Sequence, residues 1–263
     1  LCPFCGVGCQ TLVSVKDNKI VSVNGENGPA NENRLCVKGR FGFDYINSPE
    51  RLTTPLIRIS QKTKSWDISI DNQDIYKYFR KASWEEALDF ASNRFTKILK
   101  SNNKNSLAGF GSAKGSNEEA YIFQKLIRTG FKTNNVDHCT RLCHASSVAA
   151  LLQSVGSAAV SAPFTTVKDS ECIILIGARP EQNHPVAASY FKQAVKNGTK
   201  LIILDPRKQS LSRYATHHLQ FNPGQDLALL NAMIFTIIDE NLINKEYIEN
   251  HTEGFKQLEK EIK

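Results

Sequence analysis

Residues 172–207 read CIILIGARPEQNHPVAASYFKQAVKNGTKLIILDPR, and this stretch decides the fold class. The two continuous apolar runs in it, Cys172–Ile176 and Leu201–Leu204, are typical of strands that are buried on both faces. Between them, Pro185–Lys196 is predicted to be a helix, with a proline in its first turn and Gly198 as its stop. A strand, a crossover helix and a second strand indicate a parallel sheet, and therefore an α/β fold.

The alternation of strands and helices continues on both sides of this unit. Ser106–Phe110 is predicted to be a short strand, and Ser116 is predicted to cap a helix that runs to about Phe131. Further helices are predicted over Cys143–Val155 and Leu227–Glu240. We therefore expect αβα domains with parallel, doubly wound sheets over most of the chain.

The first fifty or so residues have a different character. Thr11–Val15 and Lys19–Val23 alternate apolar and polar residues, as the strands of a hairpin do, and turn-forming residues lie between them. A small β-rich subdomain is therefore expected over residues 1–55. It would be followed by the first part of an αβα domain at 56–133 and by a second αβα domain at 134–263.

The composition of the 263-residue chain argues against two classes of protein. Its net charge of +7 comes from scattered Lys and Arg residues, without the basic stripe interleaved with aromatics that is typical of nucleic-acid binding. The sequence has no run of about eighteen apolar residues, so it contains no predicted membrane span. The chain begins with Leu1 rather than Met and ends in charged residues without a helix stop signal. We therefore expect a fragment of a longer protein.

Four of the seven cysteines crowd the start of the chain. Cys2, Cys5 and Cys9 lie on one tight turn, and Cys36 follows after 26 intervening residues. Four thiolates bind either a zinc ion or a [4Fe–4S] cluster. Structural zinc sites usually pair two C-x2-C knuckles, whereas three near ligands and one remote ligand suit a cuboidal cluster, whose irons lie apart. The spacing therefore favours the cluster over zinc.

The other three cysteines, Cys139, Cys143 and Cys172, are scattered along the chain. An odd number of cysteines, four of them clustered, suits metal binding in a reducing compartment better than a disulfide framework. We therefore expect a cytoplasmic protein. Cys139 and Cys172 are interpreted as structural, and His138 as a residue that packs or forms hydrogen bonds.

The pair Cys143-His144 is the strongest candidate for chemistry in the middle of the chain. On the residues alone it is ambiguous, because a cysteine is more often a small buried hydrophobe than a reactive group, and neighbours in sequence rarely form a working thiol–imidazole pair. Cys143 does precede a helix of small residues that begins at Ala145. The N-terminus of a helix favours a thiolate, which is the ligand that a soft metal prefers.

Loops at predicted strand ends could hold a nucleotide, although the G-x-G-x-x-G fingerprint of an ordinary dinucleotide site is absent from the sequence there. In a doubly wound sheet nucleotides dock at the carboxyl ends of the strands. An acidic residue there can accept hydrogen bonds from ribose or guanine, and an arginine can bind phosphate. The candidate residues are Gly177, Arg179, Gln182, Asn183, Asp205, Arg207, Gly224 and Asp226.

The N-terminal motifs, Cys2–Cys9 and Leu35–Arg40, resemble the start of the molybdopterin oxidoreductases. Within that superfamily the chain is most similar to the catalytic subunit of molybdenum- or tungsten-dependent formate dehydrogenases, especially the soluble NAD-linked type. The resemblance extends from residue 1 to about residue 255. It implies a [4Fe–4S] cluster and a pair of molybdopterin guanine dinucleotides that hold molybdenum or tungsten.

The resemblance also implies roles for individual residues. Cys143 would be the protein ligand to molybdenum or tungsten, and His144 would contact substrate or receive a proton. Lys38 would bridge the cluster and the pterin. The candidate strand-end loops would hold one guanosine half of the cofactor, with Lys114-Gly115 approaching it from an earlier loop. Arg179 departs from the pattern, since many relatives have Asn at that position.

The function implied by the resemblance is the two-electron oxidation of formate to carbon dioxide. Electrons would pass to the cluster and then to partner subunits that carry Fe–S centres, flavin and NAD. Some nitrate reductases use a similar cysteine, typically without this histidine. A molybdenum-free Fe–S subunit like that of respiratory complex I and a zinc-bound binding module are further alternatives. The arginine that clamps formate would lie beyond Lys263, so the fragment alone is expected to have little activity.

Overall fold

The computed structural model of the chain describes residues 1–59, 75–101, 104–160 and 162–263. Short strands and helices alternate along these ranges, which confirms the α/β class. The strands are β1 (Thr11–Lys16), β2 (Lys19–Gly25), β3 (Leu56–Arg58), β4 (Phe79–Lys81), β5 (Gly109–Gly111), β6 (Val136–His138), β7 (Cys172–Ile176), β8 (Lys200–Leu204) and β9 (His217–Leu219). The helices are α1 (Val37–Phe41), α2 (Asp44–Asn47), α3 (Ile75–Tyr78), α4 (Trp84–Lys100), α5 (Asn117–Lys125), α6 (Thr140–Cys143), α7 (Ala145–Val155), α8 (Pro180–Asn183), α9 (Pro185–Lys196), α10 (Asp226–Asp239), α11 (Lys245–His251) and α12 (Phe255–Ile262).

The chain divides into two compact units, each built from separate segments. The first unit comprises Leu1–Thr11, Gly25–Cys36 and Pro163–Lys263, and the second comprises Leu12–Asn24 and Val37–Ala162. The predicted division after residues 55 and 133 stays a prediction. Among the helices that the structure describes, none combines the length and the apolar character needed to cross a membrane.

A parallel three-stranded sheet forms the centre of the first unit. Strand β8 lies in the middle, paired with β7 from Cys172↔Lys200 to Ile176↔Leu204 and with β9 on its other side. Ile173 of β7 and Leu201 and Ile203 of β8 are buried against α9, in a cluster that includes Ala194. Ile174 and Ile176 of β7 are exposed, so this strand is buried on one face and not on both faces as predicted. The strand–helix–strand unit predicted from the sequence is thus confirmed, with β8 beginning one residue early.

Helix α9 connects this sheet with the N-terminal cysteine turn. Its Val186, Ala187 and Tyr190 pack with Val7 and Cys9 in a second apolar cluster. Further along the helix, Ala194 packs against the sheet. Because one helix takes part in both clusters, the cysteine turn rests on the same core that supports the strands.

In the second unit, β5 and β6 form a parallel pair with the register Gly109↔Val136 to Gly111↔His138. Strand β5 is shorter than the strand predicted over Ser106–Phe110 and begins three residues later. Ser116 caps α5 as predicted, with a reciprocal capping box to Glu119. The chain then continues as one wider helical turn to Gly130, consistent with the predicted helix end near Phe131.

The predicted hairpin near the N-terminus is confirmed as the antiparallel pair β1 and β2. Asp17 and Asn18 form its turn, both with positive φ (50° and 57°), a conformation that Asp and Asn tolerate better than most residues. A second small antiparallel pair joins β3 to β4, with Leu56 opposite Lys81.

The helix predicted over Cys143–Val155 is interrupted. Helix α6 ends at Cys143 and α7 begins at Ala145, because His144 lies between them with φ −125° and ψ −4°. The His144 N–H donates to the carbonyl of Thr140, and its carbonyl accepts from Val148. His144 therefore ends one helix and begins the next. The apolar pattern alone does not reveal this break, because it depends on two backbone dihedral angles at one residue.

Candidate functional site

The four N-terminal cysteines come together in the first unit. Cys9 is buried, and Cys2, Cys5 and Cys36 pack as half-buried residues against the apolar cluster that contains it. The Cys2 N–H donates to the Cys9 carbonyl at 2.9 Å, which closes the cysteine turn. Gly8 has a φ of 76°, a conformation that side chains rarely adopt, so glycine at this position allows the turn to form.

The electrostatics of these thiols fit a metal cluster. Burial, followed by the nearby Cys2, Cys5 and Cys36, raises the pKa of the Cys9 thiol to about 11. A buried Cys9 thiolate beside three other sulfurs is unfavourable on its own, and bound iron cations would offset its negative charge. The donor set therefore fits the [4Fe–4S] cluster expected from the spacing.

Asn31 holds together the two segments that carry the cysteines, although no sequence motif indicates it. Its side chain is completely buried, and its Oδ1 accepts a hydrogen bond from the Gln10 N–H at 3.0 Å. Its Nδ2 donates to the carbonyls of Gln10, Glu26 and Arg34 at 2.8–3.1 Å. One amide thus joins the residue after Cys9 to the segment that leads to the fourth cysteine.

Replacing Asn31 by alanine is expected to destabilise the first unit by about 2–4 kcal/mol, since each buried backbone group left unpaired costs about 1–3 kcal/mol. The two cysteine segments would separate more easily, so bound iron should be lost faster to a chelator. Urea unfolding and the rate of iron release check both effects. Asn27→Ala, on the same loop but exposed, is the matched control. Equal iron release from the two variants would contradict the role of Asn31.

The strand-end loops of the first unit meet through another residue that the sequence did not indicate. Gln209 is buried, and its Nε2 donates to the Ala178 carbonyl at 3.1 Å and to Asp205 Oδ2 at 3.2 Å. The other carboxylate oxygen of Asp205 accepts from the Arg207 N–H at 2.8 Å. Asp205 therefore shapes the loops after β7 and β8, in addition to any contact that it makes with a ligand.

The remaining candidates in this unit lie near the same edge of the sheet. Gly177 follows β7 with a φ of 54°, and its N–H donates to the Leu204 carbonyl. Arg179 precedes α8, the short helix that carries Gln182 and Asn183. Gly224, with a φ of 84°, lies two residues before Asp226, the first residue of α10.

Helix α8 is anchored to its neighbours by Glu181. This carboxylate pairs with Lys192 at 2.7 Å and accepts a hydrogen bond from Ser210. The loop after β9 joins the same edge through Gln220, whose Nε2 donates to the Pro206 carbonyl at 3.2 Å. Parallel topology and these contacts therefore bring the predicted strand-end loops together.

Cys143 and His144 lie in the second unit. The Cys143 thiol is exposed, and its Sγ lies 3.8 Å from Nε2 of His144. Cys143 is the last residue of α6, and His144 lies in the break between α6 and α7. The exposed thiol is accessible to an incoming metal centre, and it has an imidazole beside it.

His138 has a local role, as predicted. Its Nδ1 accepts a hydrogen bond from the Thr140 N–H at 3.1 Å and lies 2.7 Å from the Thr140 hydroxyl. An Nδ1 that accepts from a backbone N–H is unprotonated, so the neutral ring carries its proton on Nε2. Cys139 is exposed, with its Sγ 3.7 Å from the same nitrogen.

A cavity of about 780 Å³ opens at the carboxyl ends of β5 and β6 in the second unit. Lys114 and Gly115 line it, as do His138 and Arg141. Arg141 pairs with Asp137 at 3.0 Å, and this hydrogen bond holds the pKa of the Asp137 carboxyl below its ordinary value. The predicted Lys114-Gly115 loop therefore borders a charged cavity that is large enough for a bulky ligand.

The predicted residues thus fall into two groups. The cluster cysteines and the loops after β7, β8 and β9 belong to the first unit, and Lys38, the Lys114-Gly115 loop and Cys143-His144 belong to the second. Lys38 is half-buried in α1. The site roles of these residues remain predictions at this point.

Two family matches together account for nearly the whole chain. Residues 51–261 match the Molybdopterin oxidoreductase family, and residues 1–48 match the Molybdopterin oxidoreductase Fe4S4 domain. The chain therefore belongs to the molybdopterin oxidoreductases, and its cofactors are a [4Fe–4S] cluster and molybdopterin with molybdenum or tungsten.

Within this family, formate dehydrogenase catalytic subunits are prominent among the relatives. The chain is 37% identical over 98% of its length to the F420-dependent formate dehydrogenase 1 subunit alpha of Methanococcus maripaludis, and it covers 36% of that protein. It is 36% identical over 99% of its length to formate dehydrogenase H of Escherichia coli, covering 35% of it. The periplasmic nitrate reductase of Desulfovibrio desulfuricans is 35% identical over 95% of the chain, with 32% of that protein covered. The chain thus spans about a third of the length of these relatives.

A solved structure has the same fold. Acetylene hydratase from Pelobacter acetylenicus superposes with a TM-score of 0.82 over 99% of this chain and 34% of its own, at 24% sequence identity. At this identity the match supports the architecture and carries no information on the reaction.

Proposed function

We propose that this chain is part of the catalytic subunit of a formate dehydrogenase, which oxidises formate to carbon dioxide, a proton and two electrons. The observation that carries the proposal is the Cys143-His144 pair, an exposed thiol with an imidazole nitrogen 3.8 Å from its sulfur. Formate dehydrogenase subunits among the relatives support the same function for this chain.

In this proposal Cys2, Cys5, Cys9 and Cys36 are the ligands of the [4Fe–4S] cluster, and Cys143 is the ligand of molybdenum or tungsten. The metal is held by a pair of molybdopterin guanine dinucleotides. When bound, the metal centre would supply two-electron redox chemistry, and the four cysteines would hold a cluster able to accept single electrons.

The strand-end loops around Gly177, Asp205 and Gly224 bind one guanosine half of the cofactor. Gln209 links the loops after β7 and β8 by hydrogen bonds. This link supports the assignment, because the joined loops present backbone and polar groups along one edge of the sheet. The cavity bordered by Lys114 and Gly115 is a second place where the cofactor approaches the chain.

His144 is proposed to receive the proton released from formate, a role suited to a side chain whose ordinary pKa is near neutrality. Lys38 is proposed to lie between pterin and cluster, where an ammonium group would be stabilised by negative charge on either side. Its position two residues after Cys36 supports that role.

The final acceptor is proposed to be NAD, reached through partner subunits that carry Fe–S centres and flavin in the cytoplasm. Three of the relatives are instead F420-dependent by name, so F420 is the acceptor to compare with NAD. Nitrate reduction is the second candidate activity, since a periplasmic nitrate reductase is also among the relatives.

The experiment that tests the proposal is substrate-dependent dye chemistry with the anaerobically purified full-length enzyme. We expect reduction of a viologen dye by formate, no oxidation of reduced viologen by nitrate, and molybdenum or tungsten together with iron in elemental analysis. Nitrate turnover without formate turnover would select the second candidate. Iron without molybdenum or tungsten would instead indicate an electron-transfer subunit.

A further inference from the structure

The side chains of Arg34 and Lys168 both lie over the ring of Tyr190, which belongs to the apolar cluster against which the four cysteines pack. The Arg34 Cζ lies 3.9 Å from the ring centroid, and the Lys168 Nζ lies 4.7 Å from it, both within the range of cation–π attraction. Tyr190 itself is completely buried and belongs to the apolar cluster that contains Cys9. The ring therefore positions positive charge against the residues that hold the cluster.

Arg34 lies two residues before Cys36 in the sequence. Its Nη1 is buried and has no hydrogen-bond partner among the described residues. Its Nη2 lies 3.8 Å from Glu32. A buried guanidinium nitrogen without a partner is costly, and a nearby negative group would offset that cost.

Glu32 reduces the positive charge of this group. It forms an ion pair with Lys168, and the hydrogen bond from Lys168 holds the pKa of the Glu32 carboxyl below its ordinary value. Arg34, Lys168 and Glu32 together leave one net positive charge around Tyr190. Arg34 lies in the segment that leads to Cys36.

We propose that Arg34, held on the Tyr190 ring, raises the reduction potential of the [4Fe–4S] cluster, and that Glu32 opposes this effect. One-electron reduction adds one negative charge to the cluster, so a fixed cation beside it stabilises the reduced form more than the oxidised form. Net charge and hydrogen bonds to sulfur are known determinants of cluster potentials. The proposal rests on the proposed ligation of the cluster by the four cysteines.

The test is a redox titration of the purified holoenzyme with dithionite and mediator dyes, in which the electron paramagnetic resonance signal of the reduced cluster is measured. In Arg34→Gln we expect the ratio of reduced to oxidised cluster at a fixed potential to fall about tenfold, which for a one-electron couple is ~59 mV. Glu32→Gln should shift the ratio in the opposite direction by a smaller factor, because Glu32 is more exposed to solvent.

Arg213→Gln is the matched control, because Arg213 also stacks on a tyrosine, at 4.9 Å from the centroid of Tyr214, which packs in the separate sheet cluster. It should leave the cluster potential unchanged. Opposite shifts in the Arg34 and Glu32 variants are a signature that a merely structural role would not produce. Shifts in the same direction, or none larger than in the control, would overturn the proposal.

Two further outcomes are distinguishable. If Arg34→Gln fails to retain iron, the test is the direction in which Glu32→Gln shifts the cluster potential relative to the Arg213→Gln control. A shift opposite to the one expected, or none, would overturn the proposal. If the unmodified enzyme lacks an iron–sulfur signal, the ligation itself fails, and that result concerns the proposed function rather than the potential.

Discussion

Replacing Cys143 by serine is expected to lower formate-dependent dye reduction by roughly 10³-fold or more while leaving the iron–sulfur cluster in place. Losing a residue that hydrogen-bonds to a metal ligand already costs about 10–100-fold in metal affinity or activity, and losing the ligand itself should matter more. Serine is smaller and harder than a thiolate, so it binds a soft metal less well. The measurement is the initial rate of viologen reduction with formate, together with iron content.

The Cys143 experiment has a close control four residues away. Cys139 is also exposed. It belongs to the same helical turn as Cys143, because the Cys143 N–H donates to the Cys139 carbonyl at 3.2 Å. Cys139→Ser should therefore keep most of the activity. A Cys143→Ser enzyme with full activity would remove Cys143 from the metal site, and equal losses in the two variants would indicate damage to the turn instead.

Replacing Cys9 by alanine is expected to remove most of the iron from the protein. Cys9 is the most buried of the four cysteines, and burial followed by the neighbouring cysteines raises its pKa, so bound iron is expected to stabilise its thiolate. Without it the cluster would have three protein ligands, and the apolar cluster on α9 would lose a packed side chain. Iron analysis and the visible absorbance of the cluster measure the loss.

The control for this variant is Cys172→Ala. Cys172 is exposed at the start of β7 and belongs to neither the cysteine turn nor the apolar cluster around it. It should retain iron and formate turnover. If Cys9→Ala keeps a full complement of iron, the four-cysteine ligation is wrong, and zinc or a different ligand set would have to be considered.

Several parts of the structure could be predicted from the sequence to within a residue. Helix α9 is bounded as expected because a proline and a glycine are local signals that act regardless of the rest of the fold. The bounds of strand β7 are likewise as predicted from its continuous apolar run, although Ile174 and Ile176 on one face of the strand are exposed. The capping box of Ser116 is another local feature, complete within four residues.

Other features depend on residues far apart in the chain. Asn31 shows no motif, and its importance comes from backbone groups at Gln10 and Arg34 that only folding brings to it. Gln209 joins two loops that are 27 residues apart at Ala178 and Asp205. The break at His144 follows from backbone geometry that the apolar pattern on both sides conceals.

The sequence by itself determined the type of chemistry, because the spacing of Cys2, Cys5, Cys9 and Cys36 and the pair Cys143-His144 are properties of residue identity and order. Tertiary structure decided the environment in which that chemistry takes place. The buried Tyr190 holds Arg34 on its ring at the apolar cluster against which the cysteines pack, and the buried Asn31 holds the two cysteine segments together. The physical reason is that thiol chemistry is local, whereas burial and the electrostatic field at a site depend on every segment packed around it.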